Sequence, residues 1–460
     1  MNIRPLLKAF VLVVATGLVL PACGGGGEPP LHVFVFLVDT VRSDALGCYG
    51  GKAGATPRID ALAAEGVRFD QAISASGWTL PSVATILTGT WPRIHGAGGK
   101  NVTLTPVRDE IPTAAEVMSD AGFTTLGFAN AAFVSPMLKL DRGFDHFDHR
   151  YTYNWNARAA DETIDAAIER VEKHRGDPSF VLVHLFDPHL TYDPPDGWAE
   201  RFTGGRTTPE TPLTMDLCEQ LAERGGGIPA ASDRKYIRDV YHAEVAFMDS
   251  EIGHFVDRLR ELGLYDRSMI VLVADHGEEF WDHGGFEHGH TLYDELIRVP
   301  MIVKFPADVE TSRAVVTEQV RTLDLMPTVF EVAGVEAPET FLGRSILPLA
   351  RGEADGERPA FAEGTLYGAD RLCFRKDGFK FLVDMNPKAK VRRELYAVEK
   401  DPAESENLIR NESAVAKEMD ADFQVFLKGV LASTAKLSRP APVDLSPQRI
   451  EMLRELGYVR

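Results

Sequence analysis

With 460 residues, 44% of them apolar, the chain can bury a large core, as one large α/β domain with a small appendage or as two or three domains. Its net charge of −19 excludes nucleic acid as the default partner, because no basic stripe exists to displace counterions. An anionic ligand must therefore be bound by local cations or a metal, against an unfavourable overall field.

The first residues carry a targeting signal. Arg4 and Lys8 precede an apolar run over residues 9–20 that is short for a membrane span, and Leu20-Pro21-Ala22-Cys23 follows. This resembles a bacterial lipobox with Cys23 as the lipidated first residue, followed by a Gly-rich tether over residues 24–30. An ordinary cleaved signal peptide is the alternative. We expect a lipid-anchored protein of the bacterial cell envelope, at the outer membrane and facing the periplasm or the exterior.

Continuous apolar runs predict strands buried on both faces, as in an α/β fold with a mostly parallel sheet sandwiched by helices. The predicted strands are residues 32–38, 67–72, 123–128, 180–185, 268–274 and 299–305. Helical periodicity predicts helices over residues 56–66, 111–122, 161–174, 236–262 and 322–333. Beyond residue 355, short β-like runs predict a small C-terminal antiparallel sheet, followed by helices over residues 414–431 and 447–456. Residues 138–155 are predicted to be a lid or loop over the sheet edge, and residues 197–232 a surface insertion near the substrate entrance.

Polar residues follow three of these strands. Asp39 follows residues 32–38, the adjacent Asp275 and His276 follow residues 268–274, and His189 lies between prolines after residues 180–185. Open α/β sheets place their ligands at such carboxyl ends, and an adjacent Asp and His indicate a divalent ion. Two simpler interpretations stay open: Asp39 caps its loop, and His189 is a structural histidine bonded to a backbone carbonyl.

Thr79 begins a buried apolar run with helical spacing that ends at Thr88-Gly89. A hydroxyl at the N-terminal end of a helix lies where backbone N–H groups and the helix dipole favour an anion, so it could be activated as a nucleophile. The alternative is that Thr79 only caps a core helix. Further along, His283, His288 and His290 lie in a Gly-rich loop and could bind phosphoryl or sulfuryl oxygens, or a second metal.

Taken together, the order of these segments resembles the sulfatase family of the alkaline-phosphatase superfamily, over roughly residues 31–410. The resemblance rests on the Asp39 strand end, the Pro-Ser…Leu-Thr-Gly helix that starts at Thr79, Asp187-Pro188-His189, Asp275-His276-Gly277-Glu278, Thr291-Leu292-Tyr293-Asp294-Glu295, Gly343-Arg344-Ser345 and Glu394-Leu395-Tyr396…Asp401-Pro402.

The departures from that family are informative. Sulfatases carry Cys or Ser where this chain has Thr79, and Arg where it has Val83, and they oxidise the Cys or Ser to formylglycine. Thr79 cannot give that aldehyde, so no formylglycine is expected. The usual pair of consecutive Asp ligands is Asp39-Thr40 here. These changes resemble the Thr-nucleophile branch, the phosphoethanolamine transferases and lipoteichoic acid synthases.

The resemblance implies a site and its cofactor. Asp39, Thr79, Asp275 and His276 would bind one divalent ion, with Mn²⁺ or Zn²⁺ favoured and Ca²⁺ an option. Thr79 would be the nucleophile, with His189 and His290 as further catalytic residues and Arg42 and His288 binding substrate. A two-metal site that uses Asp187, His189, His283 or His290 is the alternative to one metal.

The predicted function is metal-dependent hydrolysis or transfer of an anionic ester, with a phosphoester favoured, because a covalent Thr79 intermediate must be resolved by a second attack on the transferred group. The ester could belong to a glycan, a lipid head group or a small molecule. One rival is a sulfuric ester hydrolase without formylglycine, and another is a catalytically silent lipoprotein that binds an anionic glycan. The predicted organisation is a signal peptide (1–23), a tether (24–30), a catalytic domain (31–355), a β subdomain (356–410) and C-terminal helices with a Pro-rich linker (411–460).

Overall fold

The computed structural model describes residues 30–52, 54–100, 103–150, 158–206, 230–385, 392–447 and 450. The predicted signal peptide with Cys23 and nearly all of the tether lie outside the described residues, as do most of the predicted insertion at 197–232 and of the predicted helix at 447–456. Among the described residues, no helix combines the length and apolar character needed to cross a membrane.

One large mixed sheet dominates the fold, in the order β12-β2-β11-β8-β1-β7-β5-β6. Its neighbours pair in parallel except on both sides of β11, which runs antiparallel to β8 and β2. The central strands are fully buried because helices flank the sheet, which explains their unbroken apolar runs. The strands of this sheet are β1 (His32–Val38), β2 (Val67–Ile73), β5 (Thr124–Ala129), β6 (His146–His149), β7 (Ser179–Leu185), β8 (Ser268–Ala274), β11 (Arg298–Lys304) and β12 (Val315–Arg321).

The helices bury their apolar faces in one core that is continuous with the sheet. The longest helix, of 31 residues, packs against α1 and α5. The helices are α1 (Pro57–Glu65), α2 (Thr79–Thr88), α3 (Pro92–His95), α4 (Ala114–Asp120), α5 (Ala160–Lys173), α6 (Glu200–Thr203), α7 (Ala231–Glu261), α8 (Asp294–Ile297), α9 (Leu325–Ala333), α10 (Leu347–Ala350) and α11 (Ser413–Thr434). Two short hairpins, β3 (Gly98–Lys100) with β4 (Thr103–Thr105) and β9 (Glu279–Phe280) with β10 (Phe286–Glu287), lie outside the large sheet.

The C-terminal strands form a separate four-stranded antiparallel sheet, as predicted. Its order is β13 (Ala360–Glu363), β14 (Arg371–Lys376), β15 (Phe379–Asp384) and β16 (Arg392–Ala397). Phe423 of α11 packs on Phe361, Phe374 and Phe381 of this sheet. The predicted fold class, a mostly parallel sheet flanked by helices with a small C-terminal antiparallel sheet, is therefore confirmed.

Two elements differ from the sequence-based expectations. Residues 138–155 do not form only a lid, because β6 lies within them and extends the large sheet beside β5. The strand β12 was not predicted at all; four of its seven residues are exposed or half-buried, so it lacks the continuous apolar run of the inner strands. An edge strand pairs on one side only and needs less apolar surface.

Candidate active site

Three central strands end side by side at the carboxyl edge of the large sheet. In the parallel register, Val38 of β1 lies opposite Leu185 of β7 and Ala274 of β8. The residues that follow β1 and β8, Asp39 and Asp275, therefore leave adjacent strands at the same level. This is why two carboxylates that are 236 positions apart in sequence meet in the fold.

Asp39, Asp275 and His276 form a buried group of potential metal ligands. His276 Nε2 lies 3.5 Å from Asp39 Oδ1 and 3.4 Å from Asp275 Oδ2. Both carboxylate oxygens of Asp39 and Oδ2 of Asp275 accept no hydrogen bond from the described residues. A buried carboxylate without a partner is costly, and one divalent cation would satisfy all three oxygens. The donor set therefore fits a divalent ion.

Burial is the main cause of the pKa shifts of Asp39, Asp275 and His276. Burial raises the pKa of Asp39 well above its usual range, and Glu278 raises it further. Burial and then Asp39 raise the pKa of Asp275 in the same way. Burial also lowers the pKa of His276 well below its usual range, with a further contribution from His288. A neutral imidazole is a good ligand, and a bound cation would favour the ionised form of both carboxyl groups.

In the part of the chain that the structure describes, Asp39, Asp275 and His276 are the one group of three or more His, Cys, Asp or Glu whose ligand atoms all lie within 4.8 Å of one another. This group is the candidate position for the one metal ion that the resemblance implies, and the two-metal alternative stays a prediction.

Thr79 adds a hydroxyl to this group. It is the first residue of α2, which is buried along its whole length, and Thr79 itself is 1% exposed. Its Oγ1 lies 3.2 Å from His276 Nε2. His276 Nδ1 lies 2.9 Å from the carbonyl oxygen of Gly277. Because a carbonyl oxygen only accepts hydrogen bonds, Nδ1 carries the proton and donates it there. Nε2 of the neutral ring therefore carries no proton, and the Thr79 hydroxyl donates to it.

Thr40 has a structural role at the position where the resemblance leads one to expect a second Asp. Its φ of 55° lies in the left-handed region, which is uncommon for a β-branched residue. Its hydroxyl donates to the Pro188 carbonyl oxygen at 2.9 Å, and its own carbonyl accepts the Tyr241 hydroxyl at 3.0 Å. Thr40 therefore joins the end of β1 to the loop after β7.

His189 and His288 lie beside the carboxylate group. The ring of His288 is 4.5 Å from that of His276 and 5.1 Å from that of His189, between centroids. His288 Nδ1 pairs with Glu278 Oε1 at 2.9 Å, and Tyr192 donates to the other oxygen of Glu278 at 3.0 Å. These contacts fix the orientation of the His288 ring, which lies next to His276, the hydrogen-bond partner of Thr79.

Both imidazoles are neutral at pH 7. Burial, followed by the charge of His290, lowers the pKa of His288 to about 3, and burial also lowers the pKa of His189 well below its usual range. His189 Nδ1 lies 2.7 Å from the Leu190 carbonyl oxygen, so it donates there. His189 is therefore bonded to a backbone carbonyl, which was the simpler interpretation of its sequence position. Because this bond occupies Nδ1, any proton exchange by His189 takes place at Nε2.

His290 makes different contacts. Its Nε2 lies 2.8 Å from Glu279 Oε2, and its Nδ1 is 3.3 Å from the His288 carbonyl oxygen. Glu279 also accepts the backbone N–H groups of His283 and Gly285. Among the described residues, none of the hydrogen bonds of His290 reaches Thr79 or the carboxylate group, so its contacts stabilise the Gly-rich loop.

The guanidinium of Arg42 is fully occupied by acceptors within the protein. All five of its N–H groups donate, to Asp44, Asp282 and the Glu278 carbonyl oxygen. A substrate anion that bound Arg42 would have to displace Asp44 or Asp282. The role in substrate binding that the resemblance implies for Arg42 stays a prediction.

His184 was missed from the sequence. It lies in β7 opposite Leu37, so its side chain projects from the same face as Asp39, two residues further along. His184 Nε2 is 3.4 Å from Asp39 Oδ2, and both residues are fully buried. Burial lowers the pKa of His184 to about 4, so the ring is neutral. A polar residue within the apolar run FVLVHL was the signal available in the sequence.

Comparisons with known proteins show what the chain is similar to. The sulfatase family model matches residues 32–335, and the model for the C-terminal part of N-sulphoglucosamine sulphohydrolase matches residues 281–426. The uncharacterized sulfatase YidJ of Escherichia coli (strain K12) is 25% identical over 434 residues, which cover 83% of each chain.

Two solved structures share the fold. One, in complex with its substrate D-glucosamine-2-N,6-O-disulfate, has a TM-score of 0.74 at 21% identity and covers 89% of this chain and 99% of its own. A phosphonate monoester hydrolase from Silicibacter pomeroyi has a TM-score of 0.70 at 22% identity and covers 88% of this chain and 96% of its own. Enzymes acting at sulfur and at phosphorus are thus both among the structural neighbours.

Proposed function

The chain belongs to the sulfatase family and is a hydrolase of sulfate or phosphoester bonds, and we propose that its substrate is a phosphoester and its nucleophile is Thr79. The observation that carries the proposal is the position of the Thr79 hydroxyl. It lies at the start of a buried helix and 3.2 Å from His276 Nε2, the atom that is 3.5 Å from Asp39 Oδ1 and 3.4 Å from Asp275 Oδ2.

Asp39, Asp275, His276 and Thr79 would hold the metal ion. A divalent cation bound there supplies positive charge that lowers the pKa of the Thr79 hydroxyl and neutralises charge on the non-bridging oxygens. His276 keeps its proton on Nδ1, through the Gly277 carbonyl, so that the lone pair of Nε2 would be available to the metal ion beside the Thr79 hydroxyl.

The reaction has two displacements at phosphorus. Thr79 Oγ1 attacks phosphorus and loses its proton, the bond from phosphorus to the leaving oxygen breaks, and the alcohol departs with that electron pair and takes up the proton that Thr79 lost. Water then attacks the phosphoryl group on Thr79, and the bond from phosphorus to Thr79 Oγ1 breaks. His189, neutral and oriented by the Leu190 carbonyl, accepts the proton of the attacking water at Nε2, from where it restores the Thr79 hydroxyl, and His288 lines the same space.

Threonine supports phosphorus over sulfur as the reacting centre. A formylglycine hydrate expels sulfate with its second hydroxyl, whereas Thr79 has one hydroxyl and needs the second attack, which is ordinary at phosphoryl centres. Sulfate ester hydrolysis is the second candidate, because the family model and the curated relatives carry that activity in their names.

The test is intact-mass spectrometry of the purified full-length protein, acid-quenched after brief incubation with an aryl phosphodiester, an aryl phosphomonoester or an aryl sulfate. Thr85 provides a matched control, because it lies in the same helix as Thr79 but away from the carboxylates. Its hydroxyl also has a histidine partner, His95 Nε2 at 3.1 Å. We expect a phosphoryl adduct on Thr79 in the parent protein and in Thr85→Ala, and none in Thr79→Ala. An adduct formed only from the aryl sulfate would replace the phosphoester proposal with the sulfatase candidate. An adduct that persists in Thr79→Ala would remove Thr79 as the nucleophile.

We also propose that Cys23 anchors the protein to the outer membrane through lipid, on the basis of the sequence alone. Metabolic labelling with a radioactive fatty acid tests this. The label should appear in the parent protein and disappear in Cys23→Ser, and a parent protein that takes up no label contradicts the anchor.

A further inference from the structure

The turn over residues 39–42, which follows β1, is held by one side chain of the long helix α7. Tyr241 is fully buried, and its hydroxyl makes two hydrogen bonds to the backbone of this turn. It donates to the carbonyl oxygen of Thr40 at 3.0 Å and accepts the backbone N–H of Arg42 at 2.9 Å. One hydroxyl thus satisfies a backbone acceptor and a backbone donor on the two sides of Val41.

The ring of Tyr241 is fixed by its neighbours. It packs edge-to-face on Phe280, with centroids 4.9 Å apart, and on Tyr192, with centroids 5.6 Å apart. Tyr192 is itself held in place, because its hydroxyl donates to Glu278 Oε2 at 3.0 Å. The hydroxyl of Tyr241 is therefore presented to the turn by a closely packed part of the core.

Thr40 needs this support because its backbone is strained. Its φ of 55° lies in the left-handed region, where the Cβ atom is crowded by the backbone. Such conformations persist only where the surrounding contacts over-determine them. Thr40 is fully buried, and its hydroxyl donates to the Pro188 carbonyl oxygen at 2.9 Å. Without the bond from Tyr241, Thr40 would lose one of the two contacts that oppose its relaxation to negative φ.

The conformation of Thr40 matters for the metal site because Asp39 directly precedes it. Neither carboxylate oxygen of Asp39 accepts a hydrogen bond from the described residues. In contrast, Asp275 Oδ1 accepts the backbone N–H of His276 at 2.8 Å. Apart from its contact with His184, the carboxylate of Asp39 is therefore positioned by its backbone, and the backbone of the next residue is the strained one.

We propose that Tyr241 is a positioning residue of the metal site, whose hydroxyl holds Thr40 in the left-handed conformation that presents Asp39 to the divalent ion. This deepens the proposed function and rests on it, since Tyr241 acts through Asp39 and is not itself a ligand. The hydroxyl bonds only to main-chain atoms of the turn. The effect of losing it therefore depends on how strained residue 40 is, which distinguishes positioning of Asp39 from a general loss of packing.

The test measures the affinity of the full-length, metal-free protein for Mn²⁺ and for Zn²⁺ by isothermal titration calorimetry, and then uses the ion that binds the parent protein more tightly. Tyr241→Phe keeps the ring and removes the hydroxyl. We expect it to raise the Kd of that ion by about 10- to 100-fold, as is usual when a group that orients a metal ligand is lost. An unchanged Kd in Tyr241→Phe overturns the proposal.

Tyr49→Phe is the matched control. The hydroxyl of Tyr49 also bridges two backbone groups, because it accepts the Met301 N–H at 2.9 Å and donates to the Met301 carbonyl oxygen at 2.8 Å. Met301 lies within β11 and not at the carboxyl edge that carries Asp39. Tyr49→Phe should therefore lower the resistance to denaturant, as Tyr241→Phe does, but leave the Kd of the ion unchanged. If both variants raise the Kd equally, the effect is a general loosening of the core and the proposal fails.

Thr40→Gly provides the second comparison. Glycine adopts positive φ without steric cost, and it keeps the main-chain carbonyl to which Tyr241 donates. The rise in Kd caused by Tyr241→Phe should therefore be about tenfold smaller in the Thr40→Gly protein than in the parent protein. An equal rise in both proteins would show that Tyr241 does not act through the backbone strain of Thr40, and would overturn the proposal.

The outcomes separate this proposal from the proposed function. If the parent protein binds the ion and forms the phosphoryl adduct on Thr79, and Tyr241→Phe has the same Kd as the parent, the hydrolase stands and the positioning role is removed. If the ion binds and its Kd follows the pattern expected for the three substitutions, but no aryl ester gives an adduct, the positioning role stands and the proposed chemistry is removed. A parent protein that binds neither Mn²⁺ nor Zn²⁺ contradicts both.

Discussion

Lys380 is a buried cation that joins the C-terminal sheet to the catalytic part of the chain. Lys380 lies on β15 and is fully buried, and its Nζ is 2.9 Å from Asp294 Oδ1 and 2.9 Å from Glu404 Oε1. Asp294 begins α8, and Glu404 lies in the loop after β16. The substitution Lys380→Met would remove the charge while keeping an apolar side chain of similar length.

The contacts of Lys380 give the expected loss of folding stability in Lys380→Met. Asp294 would keep its ion pair with Arg375 at 2.7 Å, but Glu404 would keep only the Asp294 backbone N–H at 2.6 Å. Removing one partner of a buried ion pair costs about 3–5 kcal/mol. Burial already raises the pKa of Glu404 to about 7, so without Lys380 this carboxyl recovers part of the loss by taking up a proton. We therefore expect a loss of about 3 kcal/mol at pH 8 and a smaller loss at pH 6.

The assay is denaturant unfolding at pH 6 and pH 8, with Lys376→Met as the matched control. Lys376 pairs with Asp422 at 2.6 Å but is partly exposed, so its removal should cost less than about 1 kcal/mol. Adding Glu404→Gln to Lys380→Met should restore stability, because the uncompensated charge is gone. If Lys380→Met costs no more than Lys376→Met, or if its cost does not grow with pH, the reasoning is wrong.

Three further predictions concern the candidate site and its loop. Removing divalent ions with EDTA should lower the melting temperature of the parent protein and leave that of Asp275→Asn unchanged. If the metal was present at 100 times its Kd, the lost stabilisation is about 2.7 kcal/mol. Equal melting curves of the parent protein with and without EDTA would contradict the metal site. His184→Leu should weaken metal binding by about 10- to 100-fold because it removes the contact that orients Asp39, and calorimetric titration of the metal would expose an unchanged affinity. Glu295 at 2.7 Å raises the pKa of His283 to about 9, so the stabilisation by this pair is complete below pH 6.5 and disappears as the pH rises through 9. The melting temperature of His283→Gln should therefore lie below that of the parent protein at pH 6 and coincide with it above pH 9. A difference in melting temperature that is constant with pH would refute the pair.

Much of the fold could be predicted because its strongest signals are local. Buried central strands are unbroken apolar runs, so β1, β7 and β8 were located to within one residue. The edge strands β6 and β12 were not predicted, because an edge strand has polar, partly exposed residues that resemble a loop. The boundaries of helices moved by up to five residues, as for α7, where tertiary packing extends the helix beyond its apolar period.

The candidate site was predictable for the same reason, up to a point. Parallel strands bring their carboxyl ends to one edge, so Asp39, Asp275 and His276 were expected to meet, and the structure brings them together with Thr79. The contacts of Arg42 and His290 depend on which carboxylates reach them across the fold, and nothing in the neighbouring sequence indicates Asp282 or Glu279 as partners.

The sequence by itself thus determined the class of fold and placed Asp39, Asp275 and His276 at strand ends, because both follow from periodicity and from the residues that follow each strand. Only the tertiary structure decided which side chains surround this candidate site. His184 lies beneath Asp39 because two strands pair in one register, and Trp78 has a buried N–H because the loop at Gly364 folds over it. Such contacts join segments about 145 and 286 positions apart, and their distance and direction arise from packing, which no local pattern encodes.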